Sequence, residues 1–171
     1  LRDGKVYRED FRPEMGRFLG GRQFIAHWLV QEVDPGCDPL GPGNDLILAP
    51  GLLAGTSLSS SNRLSVGAKS PLTGGAKEAN AGGVFGLRLA SSGIGALVLR
   101  GHADQLSTLV IEGTRVTLEP CPELAGLGVY DCARALTKAY GASAALGIVG
   151  PAGERGLPVA AIAFTDKDGN P

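Results

Sequence analysis

Glycine sets the first limit on what this chain can fold into. It supplies 27 of 171 residues, roughly twice the average of about 7% in ordinary proteins. There is no collagen-like period, and many of the glycines come in close pairs such as Gly20-Gly21, Gly74-Gly75 and Gly82-Gly83. Glycine at that density implies many tight turns and places where main chain must approach something closely.

The rest of the composition bounds the class. Hydrophobic residues are 43% and charged residues 19%, so the chain is neither a disordered tail nor a highly charged binder. Its 171 residues fit one domain spanning 1–171. A chain of this size buries roughly 70% of its unfolded surface. No apolar run reaches the ~18 residues that a membrane span needs. Lys plus Arg is 16 against 17 for Asp plus Glu, a net charge of −1. That balance argues against a nucleic-acid or membrane surface held by bulk charge, while leaving room for a local basic spot.

Three cysteines (Cys37, Cys121, Cys132) show no C-x-x-C spacing, which disfavours a disulfide scaffold or a metal cluster. The simplest reading is reduced structural thiols in a cytoplasmic protein. The two histidines, His27 and His102, lie far apart, so a protein-ligated zinc is also disfavoured. The chain opens on Leu1 and closes on Pro171, just after an apolar run. Both ends read as cut, so a fragment of a longer polypeptide is expected.

The apolar pattern predicts short elements. Residues 6–11 could finish a strand, and Pro13 and Glu14 suit the first turn of a helix. Phe24, Ile25, Trp28 and Leu29 form one helical face, ended by Asp34-Pro35-Gly36. Residues 46–49 read as a buried strand, 51–62 as a Gly/Ser loop lining a surface or a site, and 63–68 as the next strand. Residues 69–75 are turn-rich, and 84–92 read as a helix. A strand over 95–100 follows, then a hairpin of 106–111 and 115–118 turning at Gly113. A helix over 129–140 stops at Gly141. Strands over 145–149 and 158–164 flank a loop at 150–154. Strands outnumber helices without alternating one to one, which favours α+β over a doubly wound sheet. The two halves share a loose order of elements, which leaves an internal duplication open, but their residues do not repeat well enough to establish one.

Familiar phosphate and nucleophile motifs are missing. Gly-Lys-Ser/Thr and Gly-x-Ser-x-Gly do not occur. The glycines at 150–153 follow a strand, but Pro151 and Pro158 spoil the helix that should follow. The denser signal is residues 63–83. Arg63 offers a planar fork of donors to a phosphate or a ring carbonyl. Asn80 can both give and accept at a heterocycle edge. The glycines beside Asn80 let main chain reach a ring directly. The same residues are also explained by two tight turns that need glycine, with Arg63 paired to a surface acid. Gly20-Gly21-Arg22 is explained equally by helix capping. Asp166-Lys167-Asp168 reads as a solvated turn.

Several phrases together carry a family resemblance. They are Phe18-Leu19-Gly20-Gly21-Arg22, Asp38-Pro39-Leu40, residues 44–49 and Gly51-Leu52-Leu53-Ala54-Gly55-Thr56. Arg63, Lys69-Ser70-Pro71-Leu72-Thr73-Gly74 and Asn80-Ala81-Gly82-Gly83-x-Phe85-Gly86 continue the series. Ile148-Val149-Gly150-Pro151-Ala152-Gly153-Glu154 closes it. In that order they resemble the N-terminal domain of the tungsten-containing aldehyde ferredoxin oxidoreductases.

The resemblance implies an α+β domain of two similar intertwined halves about a pseudo-dyad, with mixed or antiparallel sheets and flanking helices. It implies a base for a tungsten bis-pterin cofactor (tungstopterin, of the molybdopterin class), whose dithiolene sulfurs hold the metal. No side chain of this chain is then expected as a catalytic group or metal ligand. Arg63, Asn80, Ala81 and Gly82 match family positions that contact a pterin, and Lys69 is expected to add positive potential near its phosphates. The family reaction takes an aldehyde and water to a carboxylic acid. Electrons pass to a 4Fe-4S cluster and then to ferredoxin. The cluster's cysteines belong to later domains, so this chain alone is expected to be inert. Further partners implied are the remaining domains and, as an open question, a second copy in a homodimer. The rival reading is a non-enzymatic ligand-binding or subunit-assembly module on the same fold.

Overall fold

A computed structural model describes residues 5–10 and 20–171. The expected helical turn at Pro13 and Glu14, and the Phe18-Leu19 pair, lie outside the described residues. Residues 6–10 are exposed and take no part in a strand, unlike the expectation, and Phe11 lies outside the description.

Helix α1 (Gly21–Glu32) precedes strand β1 (Asp45–Pro50). Strands β2 (Leu64–Lys69) and β3 (Ala76–Ala81), helix α2 (Phe85–Ser91) and strand β4 (Leu97–Arg100) follow. These strands form one antiparallel sheet in the order β3-β2-β1-β4. β1 is central and buried on both faces, because Leu46-Ile47-Leu48-Ala49 carries apolar groups to each side. Ile47 and Ala49 meet Phe24, Ile25, Leu29 and Val33 of α1's side. Leu48 and Leu64 meet Leu89 of α2 on the other face.

Close approach needs glycine at two of these contacts. A Cβ on Gly67 would sit 2.4 Å from Ile25 Cγ2, so the missing side chain lets α1 lie close on β2 there. A Cβ on Gly86 would sit 2.6 Å from the Asn62 carbonyl oxygen, which fixes α2 against the start of β2. At the other end of α1, buried Asp45 accepts from Arg100 Nε at 2.5 Å and from Trp28 Nε1 at 2.7 Å. Arg100 Nη2 also donates to the Glu32 carbonyl at 3.0 Å, closing the carboxyl end of α1.

The second part begins with the hairpin of β5 (Ser107–Glu112) and β6 (Arg115–Pro120). Glu112 pairs with Arg115, and Gly113 takes φ +57° in a two-residue turn. A 3-10 turn (Pro122–Leu124) leads to helix α3 (Val129–Tyr140), strand β7 (Gly147–Val149), helix α4 (Pro151–Glu154) and strand β8 (Ile162–Phe164). Cys132, Ala133 and Leu136 of α3 pack on Leu146 and Ile148. Ile111 and Phe164 join the cluster beneath α2, where Phe85 and Phe164 stack edge to face with centroids 5.0 Å apart.

The α+β class and α3's bounds match the expectation. Beyond residues 6–10, other points differ. The strands expected over 145–149 and 158–164 shorten to Gly147–Val149 and Ile162–Phe164. Residues 76–81 form β3, where no strand was expected. Ala-Lys-Glu-Ala-Asn-Ala has no β-branched or aromatic residue, so nothing local announces a strand. Pairing with β2 makes it one, at the sheet edge. Residues 151–154 form a single helical turn with Pro151 in its first turn, where a loop was expected, because proline there costs no hydrogen bond.

Candidate functional site

The register of β2 and β3 decides which side chains share a face. Ser65 is paired with Asn80, so both project to the same side. Arg63 precedes Ser65 by two residues, and Gly82 follows Asn80 by two. Their alignment continues past the last ladder pair: a Cβ on Gly82 would lie 3.4 Å from Arg63 Nη1. Arg63, Ser65, Asn80 and Gly82 therefore line one strip, with Glu78 next along it.

That strip lies on α1's side of the sheet. Farther along, at Gly67, α1 covers it. Toward Arg63, α1 has ended, and the strip opens. A Cβ on Gly21 would approach Ser65 Oγ at 3.6 Å, and Arg22 Nε pairs with Glu78 Oε2 at 3.2 Å. Gly20, at φ +71°, bridges to Gly51, whose N–H donates to the Arg63 carbonyl at 3.2 Å. A Cβ on Gly20 would strike the Pro50 carbonyl oxygen at 2.7 Å, so glycine brings the amino end of α1 to this corner. Among the described residues no side chain caps α1 there, and no acid stands in its first turn. The helix dipole puts partial positive charge at this corner, beside the Arg22–Glu78 pair.

Polar contacts link the strip. Asn80 Nδ2 donates to Ser65 Oγ at 3.1 Å and to Glu78 Oε1 at 3.4 Å. Partial burial pushes the Glu78 carboxyl up, but hydrogen bonds from Ser65 and Asn80 and the Arg22 charge outweigh it. The net effect holds Glu78 below the ordinary glutamate value. Arg63 itself is exposed.

The structure thus brings Arg63, Asn80 and Gly82 together. Ala81 contributes main chain only, since its side chain packs in the cluster beneath α2. Lys69 stands apart, at the far end of β2. Its ammonium donates to the Pro35 and Cys37 carbonyls, at 2.6 Å each, and so braces the loop after α1. Sequence reasoning did not single out Ser65 or Glu78. Both become visible only through the β2–β3 register.

The other chemical candidates lie elsewhere. His102 is exposed and His27 half-buried. Cys121 and Cys132 are buried, and burial pushes the Cys132 thiol up. Among the described residues, no group of three or more His, Cys, Asp or Glu side chains could hold a metal ion.

Residues 1–170 match the family described as aldehyde ferredoxin oxidoreductase, N-terminal domain. The chain belongs to that family. Relatives include the tungsten-containing aldehyde ferredoxin oxidoreductases of Thermococcus kodakarensis and Pyrococcus abyssi, each 37% identical over 164 residues. The match covers 95% of this chain and 27% of each relative, so the chain spans about a quarter of their length. Among solved structures, the fold matches the active-site complex BamBC of benzoyl coenzyme A reductase in complex with 1,5-dienoyl-CoA. That match has a TM-score of 0.82 at 31% identity, over 86% of this chain and 23% of that one.

The family's relatives are tungsten-containing proteins, which invites a test of fit. The corner offers two guanidinium groups, a carboxamide, uncapped helix N–H groups and bare main chain at Gly82. That set suits an anionic heterocycle with a phosphate, not a naked metal ion. The space beneath the Arg63 guanidinium exists because residue 82 has no side chain. The residues fit a pterin that carries the metal.

Proposed function

We propose that this chain is the cofactor-cradling N-terminal domain of a tungsten bis-pterin aldehyde:ferredoxin oxidoreductase. The carrying observation is the shared strip: Arg63, Asn80 and Gly82 lie on one face, beside the uncapped start of α1. When bound, the tungsten centre supplies the oxidation of an aldehyde with water to a carboxylic acid, its electrons passing to a 4Fe-4S cluster and on to ferredoxin.

This chain's residues do the holding. Arg63 gives a charge-assisted fork to the pterin or its phosphate. Asn80 meets the ring edge. Ala81 and Gly82 present main chain against the ring, with no side chain between. Arg22 and the first N–H groups of α1 add positive potential, which balances the phosphate charge. The substrate pocket, the cluster and the ferredoxin surface belong to the remaining domains of the parent protein. The likeness to a benzoyl coenzyme A reductase complex supports this division of labour. The same fold occurs in relatives whose named activities differ, which supports placing the choice of substrate outside it.

The test is Arg63→Ala in the full-length parent protein, produced with tungsten supplied. Because Arg63 is exposed, stability should change by no more than about 0.5 kcal/mol. Tungsten and pterin content, read by elemental analysis and by fluorescence of the oxidised pterin, should fall about tenfold or more. Full cofactor content in that variant would overturn the reading.

A further inference from the structure

Asn80 is held by more than its place on β3. Both protons of its Nδ2 are engaged, one on Ser65 Oγ and one on Glu78 Oε1. Among the described residues that leaves Oδ1 as the polar atom of the carboxamide without a partner. Turning the amide over would bring Oδ1 against the Glu78 carboxylate, acceptor facing acceptor. Glu78 therefore selects one orientation, and Arg22 holds Glu78 from α1. Ser65 is buried, which keeps the second anchor in place.

Resting on the cradle reading above, we propose that Glu78, with Ser65 and Arg22, is a positioning residue that presents Asn80 to the cofactor as a hydrogen-bond acceptor. The group Asn80 meets is then a donor, a ring N–H or an exocyclic amine of the heterocycle. The phosphate oxygens, being acceptors, fall to Arg63 instead. The strip thus reads its ligand with opposite polarity at its two ends. A ring edge that offers only acceptors would meet a repelling oxygen at Asn80.

The charge on Glu78 makes this testable through exchange of roles. In full-length, cofactor-loaded protein, Glu78→Gln replaces an acceptor-only carboxylate by an amide that can either donate or accept, so neither orientation of Asn80 is selected, and the pterin should leave about tenfold faster. Asn80→Asp sets two carboxylates in contact and should lose the cofactor more completely. Combining the two exchanges the roles, with an amide donor at 78 meeting one oxygen of the carboxylate at 80 while the other oxygen stays an acceptor facing the cradle. The double variant should therefore retain more cofactor than Asn80→Asp alone. Release is followed by pterin fluorescence and tungsten content, with melting temperature recorded for each apo variant.

Purely additive losses, or losses that track melting temperature alone, would overturn the proposal. So would a Glu78→Gln variant that keeps its cofactor while Arg63→Ala loses it, an outcome that leaves the cradle itself standing. If neither single variant loses cofactor, the cradle reading fails first.

Discussion

Helices α1 and α3 both have 12 residues, and both start after a glycine with no side-chain cap. They differ in how their end charges are met. α3 carries Asp131 in its first turn and Lys138 in its last, so its dipole is answered at both ends by its own residues. α1 has neither. Its carboxyl end is answered from outside, by Arg100 donating to the Glu32 carbonyl. Its amino end is answered by nothing of its own, and it opens on the strip of Arg63, Ser65, Glu78 and Asn80. The self-sufficient helix packs into a small closed core with β7. The one left unbalanced points at the candidate site. In the proposed cradle, such a helix start would be left to meet an anionic ligand.

The largest break in this comparison comes at Asp45. Replacing it with Ala strands Arg100 and Trp28 and frees the carboxyl end of α1. The expected loss is about 3 kcal/mol, at the low end for a buried pair because the Arg100 side chain keeps 21% exposure. Urea unfolding measures it. The matching change at the end of α3, Lys138→Ala, should cost well under 1 kcal/mol, since that charge is exposed.

Gly83 tests how the two parts depend on each other. It sits at φ +79°, and a Cβ there would meet the Thr165 carbonyl oxygen at 2.3 Å. That carbonyl accepts from Val84 N–H, while buried Thr165 also binds the main chain of Leu146. Gly83→Ala should therefore cost about 2 kcal/mol through backbone strain and overpacking. Hydrogen exchange should show loosening on both sides of the contact, in α2 and at the start of β7. Protection lost on one side only would mean the parts are more independent than their shared core implies.

The smallest effects sharpen the contrast most. Gln23→Glu puts an acid into the first turn of α1, as Asp131 does in α3. It should stabilise the apo domain by about 0.3–1 kcal/mol and weaken cofactor retention, because the acid competes for the same N–H groups. Asp131→Asn should destabilise by a similar amount and leave retention alone. Thermal melts and pterin content decide both. Equal effects on retention from the two changes would show that the amino end of α1 is not special.

Much of this architecture is legible along the chain. Helix α3 could be placed at 129–140 because its apolar face and its stop at Gly141 are both local. Strand β1 was legible because a run buried on both faces is apolar throughout. The α+β class followed from the order of such segments. Strand β3 was not legible, and with it went Ser65 and Glu78. Ala76–Ala81 is extended only because β2 supplies its ladder partners, and an edge strand half in water needs no hydrophobic alternation. Lys69 shows the same limit in reverse. Beside a glycine-rich loop it reads as a phosphate partner, yet the fold turns its ammonium onto two carbonyls of the loop after α1.

Sequence alone therefore determined the inventory: glycines where main chain must come close, an arginine and an asparagine within one dense segment, and a family likeness carried by those residues. Only the tertiary structure decided that Arg63 and Asn80 share a face, and that α1 stops short of them. Side chains alternate along a strand with period two, so a shift of one residue in register would have sent one of the pair to the opposite side. That register is closed by the turn between the two strands, where Lys69 stands opposite Ala76 and Ser70 N–H donates to the Gly75 carbonyl at 2.8 Å. Which face of the pair is covered is decided by distant segments, with Gly67 beneath Ile25 of α1.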